Sequence, residues 1–436
     1  MSNIYQQMTD DELRVARERL SCQADEMRAR HLALDMARGK PSPAQVDLSR
    51  PMLSILGSDA DLFDEGIDCA NYGCFEGIPS ARALGAELLG CSAEQCLVLG
   101  SSSLLIEHDI LAMFWHCGTG GAEPWGSYSA AHDGVLPQVL CPVPGYDRHF
   151  GISENLGMLN IVVPMTETGP DMDVVERLVA TDDSIKAIWC VPKYSNPTGI
   201  TYSDEVVRRL VSMKTAAPDF KILWDNAYCV HDLYDTGDEL ANIFELARAA
   251  GHEERVVAFA STSKISFPGS GIAFVGASHE LIAEFSAYMK AGLISADKLN
   301  QLRHTRFLPT SAALREHMAQ HAALLRPRFE LVETMLSEGL SNTGLATWTH
   351  PRGGYFVSFN GPVGSARRIV ALAKELGVTL TPAGATFPAG QDFADCNIRI
   401  APSYPSLEDL RAALEVLVLA THVVGAELAA QERGIA

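Results

Sequence analysis

Between residues 95 and 275 the chain repeats one pattern: a run of three to six mostly apolar residues, then a longer stretch carrying polar residues and turn formers. The runs occupy 95–99, 138–140, 159–163, 185–190, 221–224, 255–259 and 272–275. Each is too short for a core helix and is apolar at successive positions, so both of its faces must be covered. Strands buried on both faces belong to parallel sheets, whose crossovers are helices packed on the sheet. A helical stretch at 80–90 precedes the first run, and others at 102–115 and 204–217 fall between runs. The pattern predicts an α/β chain with a mostly parallel sheet covered by helices.

The flanks read differently. Thr9 and Glu12 have capping-box spacing, and Leu13, Ala16, Leu20, Ala24, Met27, His31 and Leu34 recur at steps of three and four. That stripe predicts an opening helix ending before Gly39-Lys40-Pro41. A long helix is expected over 310–340, broken or kinked near Pro327. Short strands at 355–359 and 397–400 precede a last helix from Ser406. The organisation expected is a large domain, 51–308, and a smaller α+β domain built from 1–50 and 309–436.

Acidic residues outnumber basic ones 54 to 34, a net charge of −20. That balance opposes electrostatic binding to nucleic acid or to an anionic membrane. No run approaches ~18 uninterrupted apolar residues, so no transmembrane helix is expected. The start lacks the basic and apolar regions of a signal peptide. The ten cysteines show no CxxC spacing, which points to reduced thiols in a cytoplasmic protein and to no bound metal.

Ligands of parallel sheets collect at the carboxyl ends of the strands, and these ends carry the chemistry. Gly100-Ser101-Ser102-Ser103 follows the first run and opens a helix, where backbone N–H groups and hydroxyls meet an anion. Ser195-Asn196-Pro197-Thr198-Gly199 follows the run at 185–190, Asp225-Asn226-Ala227-Tyr228 the one at 221–224, and Ser261-Thr262-Ser263-Lys264 the one at 255–259. An anion cradle, an acid and a lysine on one edge suit a phosphorylated carbonyl cofactor, with which the lysine forms a Schiff base.

In this order the motifs resemble a class I aminotransferase of pyridoxal-phosphate (PLP) fold type I, over nearly the whole chain. Gly39-Lys40-Pro41, Tyr72 with Gly77, Pro144-Gly145-Tyr146, Gly353-Gly354 and Asn397-Ile398-Arg399 complete the set. The segments 37–43 and 142–150 further resemble subgroup Ic of the aspartate aminotransferases. The resemblance implies pyridoxal 5′-phosphate as cofactor and the following roles. Lys264 is the Schiff-base lysine and proton shuttle, and Asp225 pairs with the pyridine nitrogen. Asn196 and Tyr228 bond the ring's O3′, and Tyr146 stacks on the ring. Ser101, Ser102, Ser261 and Ser263 hold the phosphate, joined by Tyr72 from the neighbouring subunit of a homodimer. Arg399 forks onto the substrate α-carboxylate, which Gly39 lets the backbone approach.

One position departs from the family. An arginine commonly stands eight residues after the lysine; here that residue is Ile272. More hydroxyls, such as Ser270, or a cation from elsewhere must serve the phosphate. The activity implied is amino transfer between an amino acid and a 2-oxo acid, aspartate and 2-oxoglutarate being the preferred pair, by a ping-pong cycle. A second carboxylate needs a second cation, for which Arg38, Lys40, Lys298, Arg303, Arg306 and Arg352 are candidates. An aromatic or broad-specificity aminotransferase and a PLP lyase are alternatives on the same scaffold. A PLP-sensing regulator would carry a basic helix-turn-helix, and none is read here.

Overall fold

The computed structural model describes residues 3–435. The apolar runs become one eight-stranded sheet with β1 (Cys96–Val98), β2 (Gln138–Val143), β3 (Leu159–Thr166), β4 (Gly169–Pro170), β5 (Ile185–Cys190), β6 (Lys221–Asp225), β7 (Val256–Ser261) and β8 (Ala273–Ala277). Across the sheet the order is β1-β8-β7-β6-β5-β2-β3-β4. The five strands from β7 to β3 in that order are parallel. β8 runs antiparallel between β7 and β1, and β4 closes the far edge antiparallel to β3. β5, β6, β7 and β8 are buried along their whole length, as runs apolar at successive positions require. The β6–β7 register pairs Asp225 with Phe259, so the turn after Ser261 starts beside the end of β6.

The helices that bear on the site are α1 (Asp10–Ala29), α2 (Ser103–Cys117), α3 (Asp147–Asn155), α4 (Lys298–Phe307), α5 (Ser311–Leu340) and α6 (Leu407–Glu432). One face of the sheet packs Leu97, Val139, Trp189, Leu223 and Phe259 against Ile106, Ile110 and Phe114 of α2. A separate cluster joins the two ends of the chain, with Leu13 and Leu20 of α1 beside Leu325, Phe329 and Leu414. A three-stranded antiparallel sheet, β9 (Thr347–Trp348), β10 (Val357–Asn360) and β11 (Asn397–Ile400), lies over this cluster and pairs Ser358 with Arg399.

Two expectations about helices are corrected. The stripe at the N-terminus predicted helix through Leu34, yet α1 ends at Ala29 and His31 adopts φ 50°. Leu34 and Asp35 instead pair in parallel with Val378 and Thr379, so tertiary strand pairing overrides the helical period. α5 runs through Pro327 without a break. Leu325 and Phe329 flank the proline and are buried. Burying two such side chains stabilises by roughly 3–6 kcal/mol, enough to offset a helical proline's cost of about 3 kcal/mol. α6 is the one described helix long and apolar enough to cross a membrane, with mean hydropathy 1.6 over its most apolar window. It packs on α1 and α5 with Leu410, Leu414, Leu417 and Val424 buried, as a core helix does.

Candidate active site

The carboxyl ends of β2, β5, β6 and β7 open on one cavity of about 680 Å³. Tyr146, Asn196, Asp225, Tyr228, Ser261, Ser263, Lys264 and Arg399 all line it, with Gly39 and Ser102. Residues far apart in sequence are thus brought to one wall because most of them end or follow a strand of the large sheet, while Arg399 lies in β11.

Asp225 is the last residue of β6 and is buried. Its Oδ2 lies 3.2 Å from Nε2 of His149, and its Oδ1 has no hydrogen-bond partner. A buried carboxylate oxygen without a donor is costly unless a ligand supplies one. The Lys264 amine sits 4.8 Å from the centre of the Tyr228 ring. Burial pushes its pKa down, against the pull of Asp225 and Glu107, which favours the neutral, nucleophilic amine. Burial also raises the Tyr228 hydroxyl, with Tyr146 and Asp225 adding to the effect, so the phenol stays protonated and can donate.

Arg399 is buried, its guanidinium 4.7 Å from the centre of the Phe356 ring. Nη1 donates to Asn196 Oδ1 at 3.2 Å and lies 3.5 Å from Asp147 Oδ1; Nε has no partner. The fork is therefore only partly engaged. Gly39 has a reason that the sequence did not show: a Cβ there would stand 2.3 Å from the Phe356 ring.

The serines cluster as well. Ser261 Oγ donates to Ser263 Oγ at 3.2 Å, and Ser263 Oγ to the Ser101 carbonyl at 3.4 Å. Ser101 itself faces an adjoining cavity of about 980 Å³, shared with Ser270 and Asn300. Ile272, where the arginine was missing, is buried. A cation does reach this turn, since Arg303 of α4 donates through Nη2 to Ser270 Oγ at 2.9 Å and to Asn300. Tyr72 is not brought to the cavity of its own chain and is 81% exposed. The unpartnered Asp225 oxygen, the buried amine and the hydroxyl cluster fit a pyridine aldehyde that carries a phosphate.

Of the candidate second cations, Arg38 lines the cavity. Lys40 lies over the Tyr404 ring, Lys298 donates to the Gly73 carbonyl, and Arg306 donates to the Asp61 carbonyl. Arg352 bonds Thr236 and pairs with Asp238. The sequence reading passed over Arg148, which also lines the cavity, although it stands in the quoted segment 142–150. It also passed over His149 and Glu107. His149 is stacked on Trp189 at 4.1 Å, and Glu107 Oε2 lies 3.5 Å from its Nε2. An acid at a buried-face position, one turn before the buried Leu111, was the available signal.

Under the lysine turn lies a set of buried histidines. His317 Nε2 donates to the Ile265 carbonyl at 2.7 Å, and His231 Nε2 is 3.4 Å from the Lys264 carbonyl. His304 Nδ1 donates to the Asn300 carbonyl, which leaves Nε2 to accept from Ser266 Oγ at 2.8 Å. Gln45 Nε2 lies 3.2 Å from His321 Nδ1, and His321 Nε2 lies 3.1 Å from His317 Nε2. Burial lowers the pKa of His231 to about 3 and those of His304 and His321 to about 4.

The sheet and the groups gathered at its edge define an aminotransferase of PLP fold type I. A profile of the aspartate amino-transferase family matches residues 8–433, and the chain belongs to that family. An aspartate aminotransferase of Corynebacterium glutamicum is 41% identical over 404 residues, 92% of this chain and 92% of that protein. A Mycolicibacterium smegmatis protein named as an aminotransferase is 46% identical over 416 residues, 95% of this chain and 96% of its own. The crystal structure of an aspartate transaminase from Corynebacterium glutamicum superposes with a TM-score of 0.94 at 39% identity, over 98% of this chain and 100% of that one. An α-aminoadipate aminotransferase of Thermus thermophilus, complexed with N-(5′-phosphopyridoxyl)-L-leucine, shares the fold at TM-score 0.71 and 23% identity, over 91% and 93% of the two chains.

Proposed function

We propose that the enzyme moves an amino group between aspartate and 2-oxoglutarate by a ping-pong cycle on pyridoxal 5′-phosphate, as a cytoplasmic homodimer. The observation that carries the reading is one cavity holding the Lys264 amine, the unpartnered Oδ1 of Asp225 and the half-engaged fork of Arg399. When bound, the cofactor supplies an electron sink for the charge left on the substrate α-carbon. Lys264 would move the proton from the substrate α-carbon to the cofactor's C4′, since one displaced amine can reach both carbons. Asp225 keeps a proton on the ring nitrogen; at ~4 Å and an effective dielectric of 20 that attraction is about 4 kcal/mol. Asn196 and Tyr228 bond the ring's O3′, and Tyr146 packs on the ring face. Ser101, Ser102, Ser261 and Ser263 take the phosphate, with Tyr72 of the second copy.

Arg399 takes the α-carboxylate of every substrate. Arg38 and Arg148 are the cavity cations for a second carboxylate. Aspartate is favoured by the relative of that name, and all ten cysteines are free, in keeping with a reducing compartment. The division into 51–308 and 1–50 with 309–436 belongs to the same reading. Half-transamination spectra against a panel of amino acids test it. Fast conversion is expected with aspartate and glutamate, and faster conversion of aromatic amino acids would overturn the aspartate assignment.

A further inference from the structure

We propose that Glu107 is a positioning residue of the catalytic edge, which acts through His149 to hold the charge and orientation of Asp225. The inference rests on the role given to Asp225 above. Three elements meet here: Glu107 comes from α2, His149 from α3 and Asp225 from the end of β6. Nε2 of His149 lies 3.5 Å from Glu107 Oε2 and 3.2 Å from Asp225 Oδ2. Glu107 is 0% exposed, His149 1% and Asp225 3%. The imidazole plane is fixed by stacking on Trp189, 4° from parallel, and by the edge of Tyr146.

Neither carboxylate oxygen of Glu107 has a hydrogen-bond partner. Its helix face is apolar on the C-terminal side, with Ile110, Leu111 and Phe114 following at buried positions. A leucine would satisfy packing there, and an isolated buried carboxylate is strongly disfavoured. What Glu107 does have is a cation within reach. Burial and Asp225 push the Glu107 carboxyl up, and His149 and Ser103 pull it back; with both carboxylates ionised and the imidazole protonated the charges sum to −1, and one proton on a ring nitrogen beside Asp225 Oδ1 brings the site to zero. With a neutral residue at 107 the same proton would leave a net buried positive charge. Lys264 and Arg399 already face Asp225 from the cavity, and the Tyr146 hydroxyl stays neutral, raised by burial and by Asp225. Glu107 thus offsets positive charge where it accumulates. Burial pulls His149 towards neutrality, and the two carboxylates facing its Nε2, Asp225 and Glu107, overcome it, lifting its pKa to about 9.

The test is Glu107→Gln, read by NMR of histidine-labelled protein with and without pyridoxal phosphate; the His149 resonance is assigned from its loss in His149→Asn. His149 in the unaltered protein should stay charged through pH 8. In Glu107→Gln its midpoint should fall by about one pH unit or more, and the dissociation constant for pyridoxal phosphate should rise by about tenfold. Glu107→Asp should restore part of both, and in the His149→Asn background Glu107→Gln should add nothing. A folded Glu107→Gln with His149 midpoint and cofactor affinity unchanged overturns the proposal. If that variant does not fold, an unchanged midpoint in Glu107→Asp does so. The three ligand atoms lie within 4.8 Å of one another. One tightly held zinc ion per chain, lost in Glu107→Gln, would also overturn it, in favour of a metal centre. A chain that takes no pyridoxal phosphate would remove the role of Asp225, while the Glu107–His149 coupling is still read in the cofactor-free titration.

Discussion

Acid should loosen the turn that carries Lys264. His231, His304 and His321 are buried and neutral, with pKa values of about 3, 4 and 4. Unfolded histidines titrate near 6.5. Below that pH the unfolded chain binds protons that the folded chain refuses, so stability falls as pH falls. From pH 7.5 to 5.0 each group contributes a loss of about 2 kcal/mol, since one pH unit past the midpoint is worth ~1.4 kcal/mol. Three groups give about 6 kcal/mol, and about half that once water can relax into the site, a large part of an ordinary domain's 5–15 kcal/mol. His149 works the other way. Its pKa is raised to about 9, so its contribution is complete below pH 6.5 and is lost as pH rises towards 9. Stability should therefore peak near neutrality. Urea unfolding of the cofactor-loaded protein at fixed concentration, followed by tryptophan fluorescence at pH 7.5, 6.5, 5.5 and 5.0, measures the slope. His304→Gln and His321→Gln should each flatten it between pH 6.5 and 5.0 by up to ~1.4 kcal/mol per pH unit. If neither variant changes the slope, the histidines titrate normally and the reasoning fails.

Four further outcomes are expected. Arg399→Lys replaces a planar fork by a point charge and should cost about 2–5 kcal/mol, roughly 30- to several-thousand-fold in kcat/KM, alike for aspartate, glutamate and an apolar donor; damage confined to the dicarboxylates would put the wrong arginine on the α-carboxylate. Arg38→Ala and Arg148→Ala, assayed with the same donors, should by contrast harm dicarboxylates selectively in at least one case. Gly39→Ala drives a methyl into Phe356 and should cost about 1–3 kcal/mol, seen as a lower Tm. Mixing inactive Tyr72→Phe chains with inactive Lys264→Ala chains should restore part of the activity through hybrid dimers, and a fully active monomer in sedimentation would exclude the shared site.

What could be read in the sequence follows from where the physics is local. The strands of the sheet were legible because burial on both faces leaves unbroken apolar runs, and Asp225 and Lys264 because each closes or follows one. The end of α1 was not, because Leu34 leaves the helical period to pair with Val378, 344 positions away. Pro327 misled for a related reason: only the packing of Leu325 and Phe329 shows that the helix can run through it. Glu107 and His149 gain their meaning from a meeting of α2, α3 and β6. Arg148 was in view, but only the cavity wall distinguishes it from Lys40, Lys298 and Arg352, which are engaged elsewhere.

The cluster that joins the two ends of the chain ties this part of the molecule to the timing of protein synthesis. Tyr5 bonds His422 across 417 residues of sequence, and α1 packs along α6. At roughly 5–20 residues per second, about 20 to 80 s pass between the two leaving the ribosome. During that interval Leu13, Ala16, Leu20 and Ala24 have no surface to cover them, and a lone helix of this length is marginal in water. The strands of the eight-stranded sheet, all translated before residue 278, can assemble meanwhile. From its own translation until 407–432 emerge, α1 therefore carries an apolar stripe that α6 does not yet cover.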